Sequence, residues 1–223
     1  MKTIATLLIT LITYSVSAQM ISKDVGDFHT LKVFDLIEVN LIPSDENKVV
    51  IKGERTSEIQ VINKNGKLKI RMELDNSFNG KQTFVEVYSK GIKTIDANEG
   101  AFITVNEMIE QDEIELKAQE GGRIMAGLDV QNTKVRAVTG GIIQVSGLSR
   151  NQEIVLNTGG VFEGMDLKTQ RTKIGITAAG EAEVNASDVV DLRLTAGGDI
   201  KIYGNPKEIN EKRLAGGRVK VMN

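Results

Sequence analysis

Four carboxylates in the second half of the chain are spaced so that they could act together. Glu163 and Glu183 stand 20 residues apart, and Glu181 and Asp199 stand 18 apart. In a β chain that coils about once per 19 residues, these spacings put side chains on adjacent strands about 5 Å apart. Carboxylates held so close repel and raise one another's pKa unless a cation or base offsets them. Three chemistries suit such a patch. Ca²⁺ takes about six to eight hard oxygens. A retaining glycoside hydrolase uses two carboxyl groups roughly 5 Å apart. An ordinary ladder of surface ion pairs needs only opposite charges one coil away. The same columns continue into Lys201, Arg218 and Lys220, which favours the ladder. No cofactor is therefore expected, with Ca²⁺ as the one ion that has a candidate place.

Other chemistries lack their residues. The chain has no Cys and a single histidine, His29, so zinc sites and Cys–His or Ser–His nucleophiles have no material. No glycine-rich stretch is followed by Lys-Ser/Thr and a helix, so no phosphate cradle is expected. The net charge is −2 with a pI near 5.7, which offers no basic field for nucleic acid. With 40% hydrophobic residues at this charge the chain folds and is not disordered.

The elements that must position the carboxylates are set by glycine, 22 residues against 2 prolines. Small-residue pairs recur at Gly100-Ala101, Gly121-Gly122, Gly140-Gly141, Gly159-Gly160, Ala179-Gly180, Gly197-Gly198 and Gly216-Gly217. Apolar residues fall three and five positions after the first residue of most pairs, as in Ile124/Ala126, Ile143/Val145 and Ile200/Ile202, with polar residues between them. A second alternating run precedes each pair, as in Leu116/Ala118 and Val135/Ala137. Period-two alternation marks strands with one buried face. Each repeat reads as strand, tight glycine corner, strand and a shorter irregular return near Gly127-Leu128 or Gly147-Leu148. The fold class is thus all-β, a right-handed parallel β-helix of about seven coils, each about 19 residues. At about 4.8 Å per coil it spans roughly 29 Å. Glu211 and Arg213 break the inward apolar pattern in the last coil, as a terminal repeat without a neighbour should.

Residues 20–96 carry no glycine-pair frame but read as β, with a hairpin at Asn65-Gly66. They are expected to form opening coils and a hairpin that covers one end, within a single domain over 19–223. Residues 1–18 read as a secretory signal, with Lys2, an apolar run from Ile4 to Val16, and a Val16-Ser17-Ala18 cleavage site. No membrane span is expected after cleavage, and no Cys is present for a lipid anchor. The expected location is the periplasm, the cell surface or beyond.

The chain resembles a known family on Phe34-Asp35-Leu36-Ile37-Glu38-Val39, the strand around Asn65-Gly66-Lys67-Leu68-Lys69-Ile70, and Val85-Glu86-Val87-Tyr88. The likeness continues through Ile92-Lys93-Thr94-Ile95, the glycine pairs and Ile202-Tyr203-Gly204-Asn205-Pro206, covering residues 28–222. It is similar to the head GIN domain of auto-transporter adhesins, a secreted β-helix of Bacteroidetes-type bacteria. The resemblance implies a fold and an adhesin-like role at the cell envelope, and it brings no catalytic signature.

The resulting expectation is a non-enzymatic exported module that presents polar ladders to a polysaccharide or a surface protein. The side chains expected to carry binding are Glu163, Glu181, Glu183, Asp199, Lys201 and Arg218. The alternative is a polysaccharide hydrolase or lyase using the carboxylate patch. With no long insertion between coils, no walled cleft is expected, and Phe102 is the one aromatic residue that the repeat frame places on these outward columns. A further expectation is self-association through the open β-helix ends.

Overall fold

The computed structural model describes residues 20–222; the signal-sequence reading over 1–18 lies outside the described residues. The chain forms an all-β solenoid of seven glycine-cornered coils preceded by a mixed, curled N-terminal sheet. Strands β10 (Ile109–Gln119), β11 (Arg123–Val138), β12 (Ile142–Asn157), β13 (Gly160–Ile176) and β14 (Gly180–Leu194) stack in parallel, each on the next. Strands β15 (Asp199–Tyr203), β16 (Glu208–Arg213) and β17 (Arg218–Val221) complete the far end. The expected irregular returns are not separate loops in the central coils; the one near Gly147-Leu148 is a register break within continuous strands. Strands β11 to β14 run 15 to 17 residues, and the pairing of β13 with its neighbours is broken only by local register shifts.

Stacked apolar columns make one continuous core. Leu116 pairs with Val135, Val135 with Ile154, Ile154 with Ile174 and Ile174 with Leu192, all buried. Where the strands bend, the inner face turns polar. Thr133 donates its hydroxyl to Ser149 Oγ at 2.8 Å, and Thr172 donates to Gln152 Oε1 at 3.3 Å, so these buried oxygens are paired, while Gln152 Nε2 has no partner. At the last coil Glu211 and Arg213 take the inward positions over Leu192 and Leu194 and pair with each other. Inward charge of this kind blunts an open sheet edge.

In the central corners the two glycines of a pair meet different demands. In Gln119-Glu120-Gly121-Gly122 the Gly122 N–H donates to the Gln119 carbonyl at 2.9 Å, and φ is 54° and 74° at the central residues. This is a type I′ turn, which requires positive φ at both central positions. Val138-Thr139-Gly140-Gly141 repeats it, with φ of 49° and 71° and a 3.0 Å bond. The first glycine supplies the left-handed conformation. The second has no space for a side chain, since a Cβ at Gly122, Gly141 or Gly160 would lie 2.0 to 2.2 Å from the carbonyl oxygen of Ala97, Ala118 or Ala137. Those alanines belong to the preceding coil.

The N-terminal region departs from chain order. Strands β2 (Thr30–Val33) and β3 (Glu38–Pro43) form a coil that lies between two others. On one side it pairs with β6 (Lys67–Met72) and β7 (Thr83–Ser89), and on the other with β8 (Thr94–Ala97) and β9 (Phe102–Val105). The hairpin at Asn65-Gly66 is as expected, but β6 is itself part of a coil and only β5 (Ile59–Lys64) is its antiparallel flank. On the β7 side, β4 (Lys48–Gly53) and β1 (Ile21–Asp24) close that end with antiparallel pairing.

These corners predict unequal costs. Gly140→Ala should lower unfolding free energy by about 1 to 2 kcal/mol, the usual cost of a left-handed L residue. Gly141→Ala should cost more, because two coils must part. Thr139→Asn should stabilise by up to about 1 kcal/mol, since a β-branched residue at φ 49° is strained and Asn is not. Urea titrations of the three variants check this, and equal losses for the two glycines would refute the division of roles.

Candidate functional site

All six residues singled out from the sequence line one groove. It has a volume of about 760 Å³ and runs over the coils from Thr104 on β9 to Arg218 on β17. Two outward columns build it. Glu181 is in register with Asp199, and Asp199 with Arg218. Glu163 is in register with Glu183, and Glu183 with Lys201. The columns expected from the repeat frame are therefore the columns observed.

No inserted loop walls the groove; it lies on the strands themselves. Met125, Ala126 and Gly127 of β11 and Gln144, Val145 and Ser146 of β12 line it from matching positions of stacked strands. In β13 an irregular register opens between Gln144/Glu163 and Gly147/Leu167, where Gly164, Met165 and Asp166 form a β-bulge. Met165 and Asp166 line the groove on this bulge, and Asn185 donates from Nδ2 to the Met165 carbonyl at 2.9 Å. The bulge follows from a core substitution. Phe162 fills the inner space fully, and a Cβ at Gly164 would lie 2.2 Å from its ring. The next coil answers the large Phe162 with the small Ala182 in register.

Ion pairs organise the charged half of the groove. Arg218 donates to both oxygens of Asp199 at 2.8 and 2.7 Å, and Lys201 donates to Glu183 at 2.9 Å. Arg218 holds the Asp199 carboxyl below its ordinary pKa, mainly through the hydrogen bond. Lys201 is pushed up by Glu183, with a smaller contribution from Glu181. Glu163, Asp166 and Glu181 make no ion pair among the described residues. Five carboxylates thus face two cations in the lining. No group of three or more His, Asp or Glu side chains among the described residues is arranged to hold a metal ion.

The same face extends past the groove in a way the repeat frame did not show. Phe84 is in register with Glu38, Glu38 with Phe102, and Phe102 with Arg123, whose guanidinium lies 5.8 Å from the Phe102 ring. Phe84 joins this column because β7 stacks beside β3, out of chain order. It is 50% exposed. His29 has no catalytic neighbour among its contacts; its Nδ1 lies 3.1 Å from Thr30 Oγ1 and its ring covers Gly66.

A family model described as putative auto-transporter adhesin, head GIN domain, matches residues 27–206. The chain belongs to this family. Solved structures agree on the fold. A putative adhesin from Bacteroides fragilis superposes with a TM-score of 0.85 at 17% identity, covering 93% of this chain and 98% of that one. One from Parabacteroides merdae gives 0.72 at 15% identity, with 94% and 98% covered. A Parabacteroides distasonis protein described as a putative lipid binding protein gives 0.74 at 15% identity, with the same coverage. No curated protein matches the chain. Membership of this adhesin family accords with export, and among the described residues no helix is long and apolar enough to cross a membrane.

A second carboxylate grouping, unread in the sequence, sits at the first corners of this GIN domain. Asp35 is 2% exposed and accepts the N–H groups of Met72 at 2.9 Å and Phe78 at 3.1 Å. Glu99, one coil away, has its pKa raised by burial first, then by the charge of Asp35 and a hydrogen bond to it; Glu120 adds to this and Arg71 opposes it. A carboxyl whose folded pKa lies above its unfolded value stabilises the fold at pH below the unfolded value, about 4.3 for Glu, and that stability is lost as pH rises through the folded value.

Two predictions follow from this geometry. Glu99→Gln should raise the melting temperature at pH 7 and flatten its decline between pH 4 and 7; an unchanged pH profile would remove Glu99 from the account. Gly164→Val should destabilise strongly, whereas Phe162→Ile with Gly164→Val, the Ile143/Val145 pattern of the preceding coil, should recover most of the loss in urea titrations.

Proposed function

We propose that this GIN domain is an exported, non-enzymatic binding module that holds an extended cell-envelope or surface polymer, a polysaccharide above all, along its groove. One observation carries the reading: the outward columns Glu163–Glu183–Lys201 and Glu181–Asp199–Arg218 run in register along a single concave face. A linear ligand laid along the axis meets a new row of polar groups every coil, about 4.8 Å apart, and gathers affinity from many weak contacts. The adhesin description of the family supports binding over turnover. The sequence from Lys2 to Ala18 supports export.

Catalysis fits the groove less well. A glycoside hydrolase needs one carboxyl held protonated as general acid beside a second that is ionised. Asp199 is held down by Arg218, the wrong direction for that acid, and Glu183 is engaged by Lys201.

The test is retention of purified residues 19–223 on neutral, acidic and basic polysaccharides, with and without Ca²⁺, with newly formed reducing ends measured in the same samples. Retention without new ends is expected, weakened at least about tenfold by Glu163→Gln with Glu181→Gln. New reducing ends that vanish in Glu181→Gln would make the protein a hydrolase.

A further inference from the structure

The groove and the aromatic column beside it point to one chemical class of polymer. The groove lining is acidic, with five carboxylates against two cations, and both cations are already paired within it. Glu163, Asp166 and Glu181 have no cationic partner among the described residues. A uronic-acid or sulfated polymer would meet net repulsion within the groove, whereas a ligand with spaced amines there would complete the ion pairs.

Shape separates a sugar from a peptide. Phe84 and Phe102 occupy one outward column with Glu38 between them, so their rings stand two coils apart, about 9.6 Å. That distance is close to the disaccharide repeat of an extended β-1,4-linked glycan, which presents the same ring face once per repeat. One pyranose unit is correspondingly close to one coil. An extended peptide repeats its same-side side chains every 6.7 Å or so and falls out of step with the coils after two residues. The two features are continuous, because Phe102 and Thr104 are alternate outward residues of β9 and Thr104 begins the groove.

We infer that this face binds a linear, β-1,4-linked amino-sugar polymer carrying free amines, with rings stacked on Phe84 and Phe102 and amines paired to Glu163, Asp166 and Glu181. The inference rests on the groove reading above and adds the ligand class to it. Stacked pyranose rings bury apolar C–H faces on the aromatic rings; Arg123 already lies over the Phe102 ring, so the amines pair with the carboxylates further along the face.

The experiment titrates the mature chain by calorimetry at pH 6 and low salt with four probes. These are a β-1,4-linked glucosamine hexamer, its fully N-acetylated counterpart, a β-1,4-linked glucose hexamer and short polylysine. The variants are Phe84→Ala with Phe102→Ala, and Glu163→Gln with Glu181→Gln; melting curves confirm that both fold. The glucosamine hexamer should bind best, at least tenfold tighter than the acetylated or glucose hexamer, and each double variant should weaken it about tenfold. Binding of the acetylated or glucose hexamer as tightly as the amine form would overturn the charge assignment. Binding of the amine hexamer that ignores the phenylalanine variant, or is matched by polylysine, would overturn the sugar assignment. If an uncharged or acidic glycan binds and responds to Glu163→Gln with Glu181→Gln, this inference falls and the groove reading stands. If no probe responds to either variant, this inference is overturned, and the groove reading then rests on the polysaccharide retention assay alone.

Discussion

Everything in this molecule depends on how closely one corner can approach the next. A parallel stack needs its backbones at strand spacing on every side, including the turns, where a Cβ would ordinarily hold them apart. The carbonyl oxygens of Ala97, Ala118 and Ala137 occupy the space that a side chain at Gly122, Gly141 and Gly160 would need. With the corners seated, their own polar groups can pair across coils. The Gly121 N–H reaches the Thr139 carbonyl at 3.2 Å and the Gly140 N–H reaches the Thr158 carbonyl at 3.1 Å. The turn is thereby part of the hydrogen-bonded sheet, and the outward columns on either side inherit its register.

The groove is a by-product of that regularity and of one local exception to it. The stacked strands themselves line the groove, at no cost in chain length. The exception is the Phe162–Gly164 pair, which exchanges core volume for a bulge and places Met165 and Asp166 on the groove wall. Charge then divides the face along its axis. The far coils carry paired and unpaired carboxylates, while the near coils carry Phe102, Arg123, Ile142 and Val161 on the same column. A surface of this kind is amphipathic along its length, which suits a polymer whose units have both ring faces and charged substituents.

The repeat half of the fold was legible because its information is local. Glycine pairs and alternation within each unit of about 19 residues fix which residues face outward, and each residue's distance from its own pair fixes which of them are neighbours; Glu181 beside Asp199 needed nothing else. The N-terminal half was legible as strands but not as an order. No glycine frame marks its coils, and the corner between β2 and β3 uses Asp35 and Leu36 in left-handed conformations, at φ 60° and 62°, without glycine. That β3 pairs with both β7 and β9 is a non-local choice, so Phe84 could not be placed beside Phe102 from spacing. The groove itself was not legible for a related reason: a hollow on continuous strands and an irregular register in β13 leave little trace in composition.

The displaced order of the first coils also sets when the chain can begin to fold. In a simple solenoid each coil can dock as soon as it is made, on the one before it. Here the coil of β2 and β3 has no neighbour on either side until residues 67–105 are available, since both flanking coils come later in the chain. The early chain must therefore wait, and its first stable unit is a three-coil block closed by non-local contacts, the slow kind to form. Once that block exists it offers a finished sheet edge, and every later repeat adds by local contacts alone. The N-terminal region is in this sense a seed, and the glycine repeats are the growth upon it.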